Sequence, residues 1–162
     1  MRNERVSLRK QCWLMKSEPG DFSIDDFLSS RSTCWSGVRN YQARNYMRDE
    51  MQLGDGVFFY QSNAKQIGIV GRAKVIKMGY ADYTAWDPRD IHYDPNSSAE
   101  KPIWFMVDIE IVKACGTIIT LKRLKSIAAL KHMGVVQRGN RLSVQPVSPA
   151  AWETILKLPE WD

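Results

Sequence analysis

Hydrophobic positions along this chain fall into short clusters separated by polar, turn-rich segments. Cys12-Trp13-Leu14-Met15-Lys16 predicts a buried strand, closed by the turn chemistry of Ser17-Glu18-Pro19-Gly20. Ser23 ahead of Ile24-Asp25-Asp26-Phe27-Leu28 predicts a short helix, with Ser23 as N-cap and two acids in the first turn. Residues 33–37 read as a loop, after which Asn40 can cap a second helix running to about Arg48. Gly54-Asp55-Gly56 turns the chain into a strand over 57–61. Another strand follows over 67–78, where Gly68 and Gly71 suggest a bulge or a close approach. Residues 80–96 are aromatic, acidic and rich in turn signals, and a stretch of that length without a period points to a functional loop. The longest predicted strand covers 103–112. Residues 120–133 carry helical spacing at Leu121, Leu124, Ala128 and Met133, with Lys122, Arg123, Lys125 and Lys131 mostly outside. A basic turn at Arg138-Gly139-Asn140-Arg141 leads to a strand over 142–147. Ser148 then caps a last helix that starts at Pro149 and runs to about Lys157.

Five or six strands, unevenly separated by short helices, do not match the regular alternation of a doubly wound sheet. They predict an α+β fold with a mixed, curled sheet or small barrel and flanking short helices. The 162 residues are 44% hydrophobic and 25% charged, one domain's worth and too apolar for overall disorder. A basic arm is expected over 1–11 and a single domain over 12–160. The balance of 23 Lys and Arg against 18 Asp and Glu, net +5, is mildly basic and compatible with a polyanionic partner. Cys12, Cys34 and Cys115 are far apart and odd in number, which reads as buried, reduced thiols of an intracellular protein. With no apolar run near the roughly 20 residues that cross a bilayer, no membrane partner is expected. The expected location is the cytoplasm, or the nucleus if the source is eukaryotic.

Several chemistries have no signature. There is no GxxxxGK[ST], GxGxxG, GxSxG or HExxH pattern. His92 and His132 are not near a cysteine at zinc-ligand spacing. Asp82, Asp87, Asp90 and Asp94 do not follow the spacing of a calcium loop. No metal, no cofactor and no catalytic group are expected.

Polar residues interleaved with aromatics are the informative segments. They are Trp13-Leu14-Met15-Lys16-Ser17-Glu18-Pro19, Trp35-Ser36-Gly37-Val38-Arg39-Asn40-Tyr41-Gln42-Ala43-Arg44, Tyr60-Gln61-Ser62-Asn63, Asp82-Tyr83-Thr84-Ala85-Trp86 and Arg141-Leu142-Ser143-Val144-Gln145-Pro146-Val147. In collinear order over residues 12–158 they resemble the EVE domain family. The resemblance implies a PUA-like fold, related to the YTH and SRA readers of modified bases. It also implies a non-enzymatic, nucleic-acid-associated role in which an aromatic-walled pocket holds a modified base, with modified cytosine in DNA foremost and RNA a second possibility. Two stretches depart from the family pattern: Gln61 stands where a histidine often precedes the Ser-Asn pair, and residues 91–99 are the least family-like.

A base reader needs flat faces to stack on, fixed donors and acceptors for the base edge, and cations at the mouth for phosphates. Trp35 would stack on the base, unless it only closes the barrel. Ser17, Ser62 and Asn63 would read the base edge, with local turn bonding as the rival for Ser62 and Asn63. Lys16, Glu18, Asn40, Tyr60, Asp82, Thr84 and Ser143 complete the candidate pocket, although Asn40 equally suits a helix cap. Asp82, Thr84 and Trp86 could form a lid or simply pack a loop. Arg39, Arg44, Arg141, Lys122 and Arg123 are the candidate phosphate contacts, with Arg39, Arg141 and Lys16 placed nearest. Two other classes stay open: a nucleotide-modifying enzyme using Glu18 or Asp82 as general base, and a protein-interaction domain with a vestigial pocket. The resemblance names no effector protein.

Overall fold

Two adjacent interior strands of the sheet are rich in large apolar residues. In the computed structural model, which describes residues 10–162, β1 (Cys12–Ser17) pairs in parallel with β3 (Gly56–Gln61). Both are buried on two faces, as their near-continuous apolar runs require. Trp13 and Met15 face one core with Phe27, Trp35 and Phe59, whereas Leu14 faces a second with Phe58, Tyr60 and Ile69. Residues 1–9 of the expected basic arm lie outside the described residues. The Gln11 amide donates to Asp55 Oδ1 at 3.2 Å. Asp55 is itself buried, and its other oxygen accepts from the Trp13 indole at 2.9 Å.

The six strands run in the order β2-β5-β4-β3-β1-β6. Here β2 is Ser32–Cys34, β4 is Gly68–Ala81, β5 is Phe105–Thr120 and β6 is Val144–Val147. Every pairing except β1 with β3 is antiparallel. The long β4–β5 ribbon breaks register at Ile69/Gly71 and at three further points, and such breaks bend a ribbon around a core. Gly68 sits at the tightest crossing, where a Cβ would stand 2.1 Å from the Ile119 carbonyl oxygen.

Four short helices flank the sheet. In α1 (Ile24–Ser30) the Ser23 hydroxyl accepts from the Asp26 amide at 3.1 Å and the Asp26 carboxylate accepts from the Ser23 amide at 2.9 Å. This reciprocal cap contributes about 1 kcal/mol and seats Phe27 in the first core. The others are α2 (Tyr41–Asn45), α3 (Leu121–Lys125), capped by Thr120, and α4 (Pro149–Leu156), capped by Ser148.

Four local expectations are corrected. Residues 32–34 form an edge strand rather than a loop, too short to display a period. The second helix gives way to a π-helical turn at Tyr46–Glu50. β5 continues eight residues past Val112, because its bends break the alternation that would have revealed it. The helix expected over 120–133 is split after Lys125 into 3-10 turns at Ala128–Leu130 and Gly134–Val136. Leu124, Leu130 and Met133 still reach the second core from these pieces. The three cysteines are half-buried free thiols rather than fully buried ones. No helix among the described residues is long and apolar enough to cross a membrane.

Candidate functional site

β1 and β3, being parallel, end side by side. There the Ser62 amide donates to the Ser17 carbonyl at 2.9 Å, and the Ser17 hydroxyl donates to the Phe22 carbonyl at 2.8 Å. β6 runs antiparallel to β1, so its entry lies at the same level, and the Lys16 amide donates to the Ser143 carbonyl at 2.8 Å. The chain leaving β2 arrives from the other edge of the sheet. Strands β2 and β6 are the two outer strands, yet Cys34, Trp35, Arg141 and Ser143 line one cleft of about 880 Å³. That meeting of opposite edges requires the sheet to be rolled. The volume is in the range of small-molecule sites, about 300–1,000 Å³.

Aromatic rings form the floor. Trp35 meets Phe59 edge-on with centroids 5.9 Å apart, and Phe22 packs on Phe27 at 5.4 Å. Trp35 is only 8% exposed, so one residue both packs the first core and lines the cleft.

One wall is the segment Gly37–Arg39, and Asp82 holds it. The fully buried Asp82 carboxylate accepts from the Gly37 amide at 2.8 Å, Arg39 Nη1 at 2.9 Å, the Thr84 amide at 3.0 Å and the Thr84 hydroxyl at 2.5 Å. Burial pushes this carboxyl up, but the hydrogen bonds from Thr84, Gly37 and Arg39 outweigh it and leave Asp82 below the usual carboxylate range. Arg39 continues across the cleft mouth, donating from Nε and Nη2 to the His92 carbonyl at 3.1 and 2.8 Å. Gly37 has φ +81°, and a Cβ there would stand 2.7–2.9 Å from the His92 imidazole. Glycine is favoured because φ lies in the left-handed region, and the His92 ring packs against its open side.

Charged residues of both signs line the cleft, Lys16, Arg39 and Arg141 with Glu18, Asp21 and Asp90, and Arg39 is already paired with Asp82. Burial also pulls the Lys16 ammonium below the usual lysine range. It lies 5.9 Å from the centre of the Tyr60 ring, toward the second core.

The cleft thus brings together Trp35, Lys16, Ser17, Glu18, Ser62, Ser143, Arg39 and Arg141. The other sequence candidates sit elsewhere. Asn40 caps α2 through a 3.0 Å bond to the Ala43 amide, and Tyr60 is buried in the second core. Asn63 occupies an exposed turn with φ +47°. Asp82 and Thr84 are consumed in holding the wall, and with Trp86 they form no lid over the cleft. Arg44 donates to the Ile103 carbonyl at 2.9 Å and packs over Tyr41 at 4.8 Å. Arg123 pairs with Glu160 at 2.7 Å, and Lys122 beside it on α3 lies outside the cleft. Gln61 donates to the Gln66 carbonyl at 2.8 Å and so ties the β3–β4 turn.

Phe22, Gly37, Asp90, Ile91 and His92 also line the cleft and were not among the pocket candidates read from the sequence. Residues 90–92 come from the long unpatterned loop. The bonds from Arg39, 53 positions away, help bring them to the site.

The family model for the EVE domain matches residues 11–158. The chain belongs to the EVE domain family. Its curled, mixed six-stranded sheet is the α+β PUA-like fold that the sequence resemblance implied. Among EVE relatives, thymocyte nuclear protein 1 of Danio rerio is 43% identical, the match covering 93% of this chain and 72% of that protein. A Pseudomonas syringae protein of solved structure is 44% identical with a TM-score of 0.86, covering 89% of this chain and 96% of that one. The human THYN1 protein, solved in complex with DNA containing 5-methylcytosine, is 40% identical with a TM-score of 0.86, covering 94% of this chain and 99% of that one. EVE domains similar to this chain therefore include one that binds DNA.

Proposed function

We propose that this EVE domain is a non-enzymatic reader that holds a modified base, modified cytosine in DNA, in the cleft between the ends of β1, β3 and β6 and the Trp35 segment. The observation that carries the reading is the combination of aromatic side chains and hydroxyl-bearing residues lining one cleft. A nucleobase is flat and neutral, and its edge needs donors and acceptors at fixed places. Trp35 and Phe22 supply apolar surface, and the Ser17, Ser62 and Ser143 side chains supply polar groups. Arg141 is exposed at the mouth, where a phosphate would pass. Arg39 is committed to Asp82 and His92, which makes it a brace for the wall before it is a phosphate contact. The human relative solved with 5-methylcytosine DNA supports the choice of ligand.

The general-base alternative on Asp82 is not favoured, since four donors occupy its oxygens and a base needs a free lone pair facing substrate. Titration with modified and plain nucleosides, then oligonucleotides, tests the proposal. Saturable binding of a modified base, weaker for its plain parent and weakened in both Ser143→Ala and Trp35→Phe, is expected. Equal affinity for modified and plain bases, on nucleosides and on DNA alike, would overturn it.

A further inference from the structure

On the rim of the cleft, between Asp90 and His92, stands Ile91. Single exposed apolar residues are ordinary on protein surfaces, but three observations set this one apart. Its side chain is 92% exposed, against 60% for Tyr41, the next most exposed large hydrophobic residue among those described. It borders the cleft lined by Trp35 and Phe22. And the backbone carrying it is pinned on both sides. The Asp90 amide donates to the Asp87 carbonyl at 2.9 Å, and the Tyr93 amide to the Asp90 carbonyl at 3.1 Å. The His92 amide donates to Asp90 Oδ1 at 2.8 Å, while the His92 carbonyl takes both Arg39 bonds. Further along, the Asp94 amide donates to the Ala85 carbonyl at 2.9 Å, and Asp94 accepts from the Trp104 indole at 2.7 Å. A mobile loop would let a branched aliphatic side chain fold back onto the cleft. This loop holds it outward.

A rigid apolar knob at the mouth of a cleft lined by aromatic side chains fits one partner chemistry well. When a base leaves a duplex, the gap in the stack exposes apolar faces above and below, and unstacking costs a few kcal/mol unless something fills it. Aliphatic side chains inserted between base steps do this in other DNA-binding proteins. We infer that Ile91 is the wedge of this domain: it enters the base stack of a duplex as the target base moves into the cleft, so the preferred partner is double-stranded. The inference rests on the base-reader proposal above and deepens it. Because the same Arg39 side chain braces both the cleft wall and the Ile91 loop, the wedge and the pocket are held in one fixed spacing.

The test compares wild type, Ile91→Ser and Ile91→Leu on three ligands: the modified nucleoside, a single-stranded oligonucleotide carrying the base, and the same base in a duplex. Ile91→Ser is expected to bind the duplex about tenfold or more weaker, a clearly larger loss than on nucleoside or single strand, and to be rescued by Ile91→Leu. A duplex in which the target base is mispaired should narrow the gap, since its unstacking is already partly met. Unchanged duplex affinity in Ile91→Ser, or wild-type binding to single strands only, would overturn the wedge and leave the base reader standing. Equal loss on all three ligands would make Ile91 a pocket residue and overturn the wedge as well. Absence of wild-type preference for the modified base on any ligand would overturn the base-reader proposal and, with it, the wedge.

Discussion

Asp82→Asn is the substitution whose effect follows most directly from the structure. The amide keeps the shape of the carboxylate and keeps one oxygen for the Thr84 donors. Its NH2 replaces the oxygen that accepts from the Gly37 amide at 2.8 Å and Arg39 at 2.9 Å, so donors then face donors. Each hydrogen bond to a charged group contributes about 1.5–3 kcal/mol, and relief from burying a carboxylate offsets part of the loss of two. A net destabilisation of about 3 kcal/mol is expected. Against a total of roughly 5–15 kcal/mol the variant still folds at 25 °C, with Tm lowered by roughly 6–12 °C. Urea unfolding of wild type, Asp82→Asn, Arg39→Ala and the double variant measures this, and the two sites should couple rather than add. The pH dependence has a definite sign. The Asp82 carboxyl lies lower in the folded chain than in the unfolded one, so its contribution is complete above the ordinary carboxylate range and fades as pH falls through its folded value. The gap between wild type and Asp82→Asn should therefore close in acid. A gap under about 0.5 kcal/mol at neutral pH, or one that widens in acid, would refute the role assigned to Asp82.

Further outcomes follow from other contacts. Gly37→Ala must adopt an unfavourable φ and displace the His92 ring, so it should cost about 1–2 kcal/mol and weaken ligand binding beyond that, read by parallel unfolding and titration. Gly68→Ala places a Cβ against backbone that cannot yield, and should give a chain that unfolds at far lower urea or fails to accumulate in soluble form. Asp55→Ala strands the Trp13 indole, the Gln11 amide and the Gln52 amide, and should cost about 3 kcal/mol with a change in near-ultraviolet circular dichroism from Trp13. Burial pushes the Cys12 and Cys115 thiols up to about 11, so in a Cys34→Ser variant alkylation should stay slow at pH 8 and accelerate steeply toward that value; fast labelling at pH 8 would contradict their burial.

The parts of the fold that were legible in the chain are those where local chemistry agrees with the final structure. The caps at Ser23, Asn40 and Ser148, the apolar runs of β1 and β3 and the bulge at Gly68–Gly71 could each be read from a few neighbouring residues. The failures share a cause. β2 is three residues long, and the last half of β5 bends where it crosses β4, so neither displays a period. The interrupted helix after Lys125 has the right apolar spacing, but its residues are pulled apart by the second core.

For the site, the sequence determined the chemical kind: interleaved aromatic and polar segments, at strand ends, with no metal-ligand or catalytic pattern, and a resemblance that names the family. Tertiary structure decided which of those residues meet. Asp82 has the look of a pocket carboxylate in the chain and becomes a buried brace, because the fold surrounds it with four donors. Asp90, Ile91 and His92, in an unpatterned loop, become rim residues because Arg39 reaches across to them. The physical reason is range. Caps, turns and alternation are interactions among near neighbours, which a sequence states directly. A cleft formed where the two edges of a rolled sheet meet depends on contacts such as Arg39–Asp82, Gly37–Asp82 and Arg39–His92, which span 43, 45 and 53 positions, and no local pattern encodes their distance.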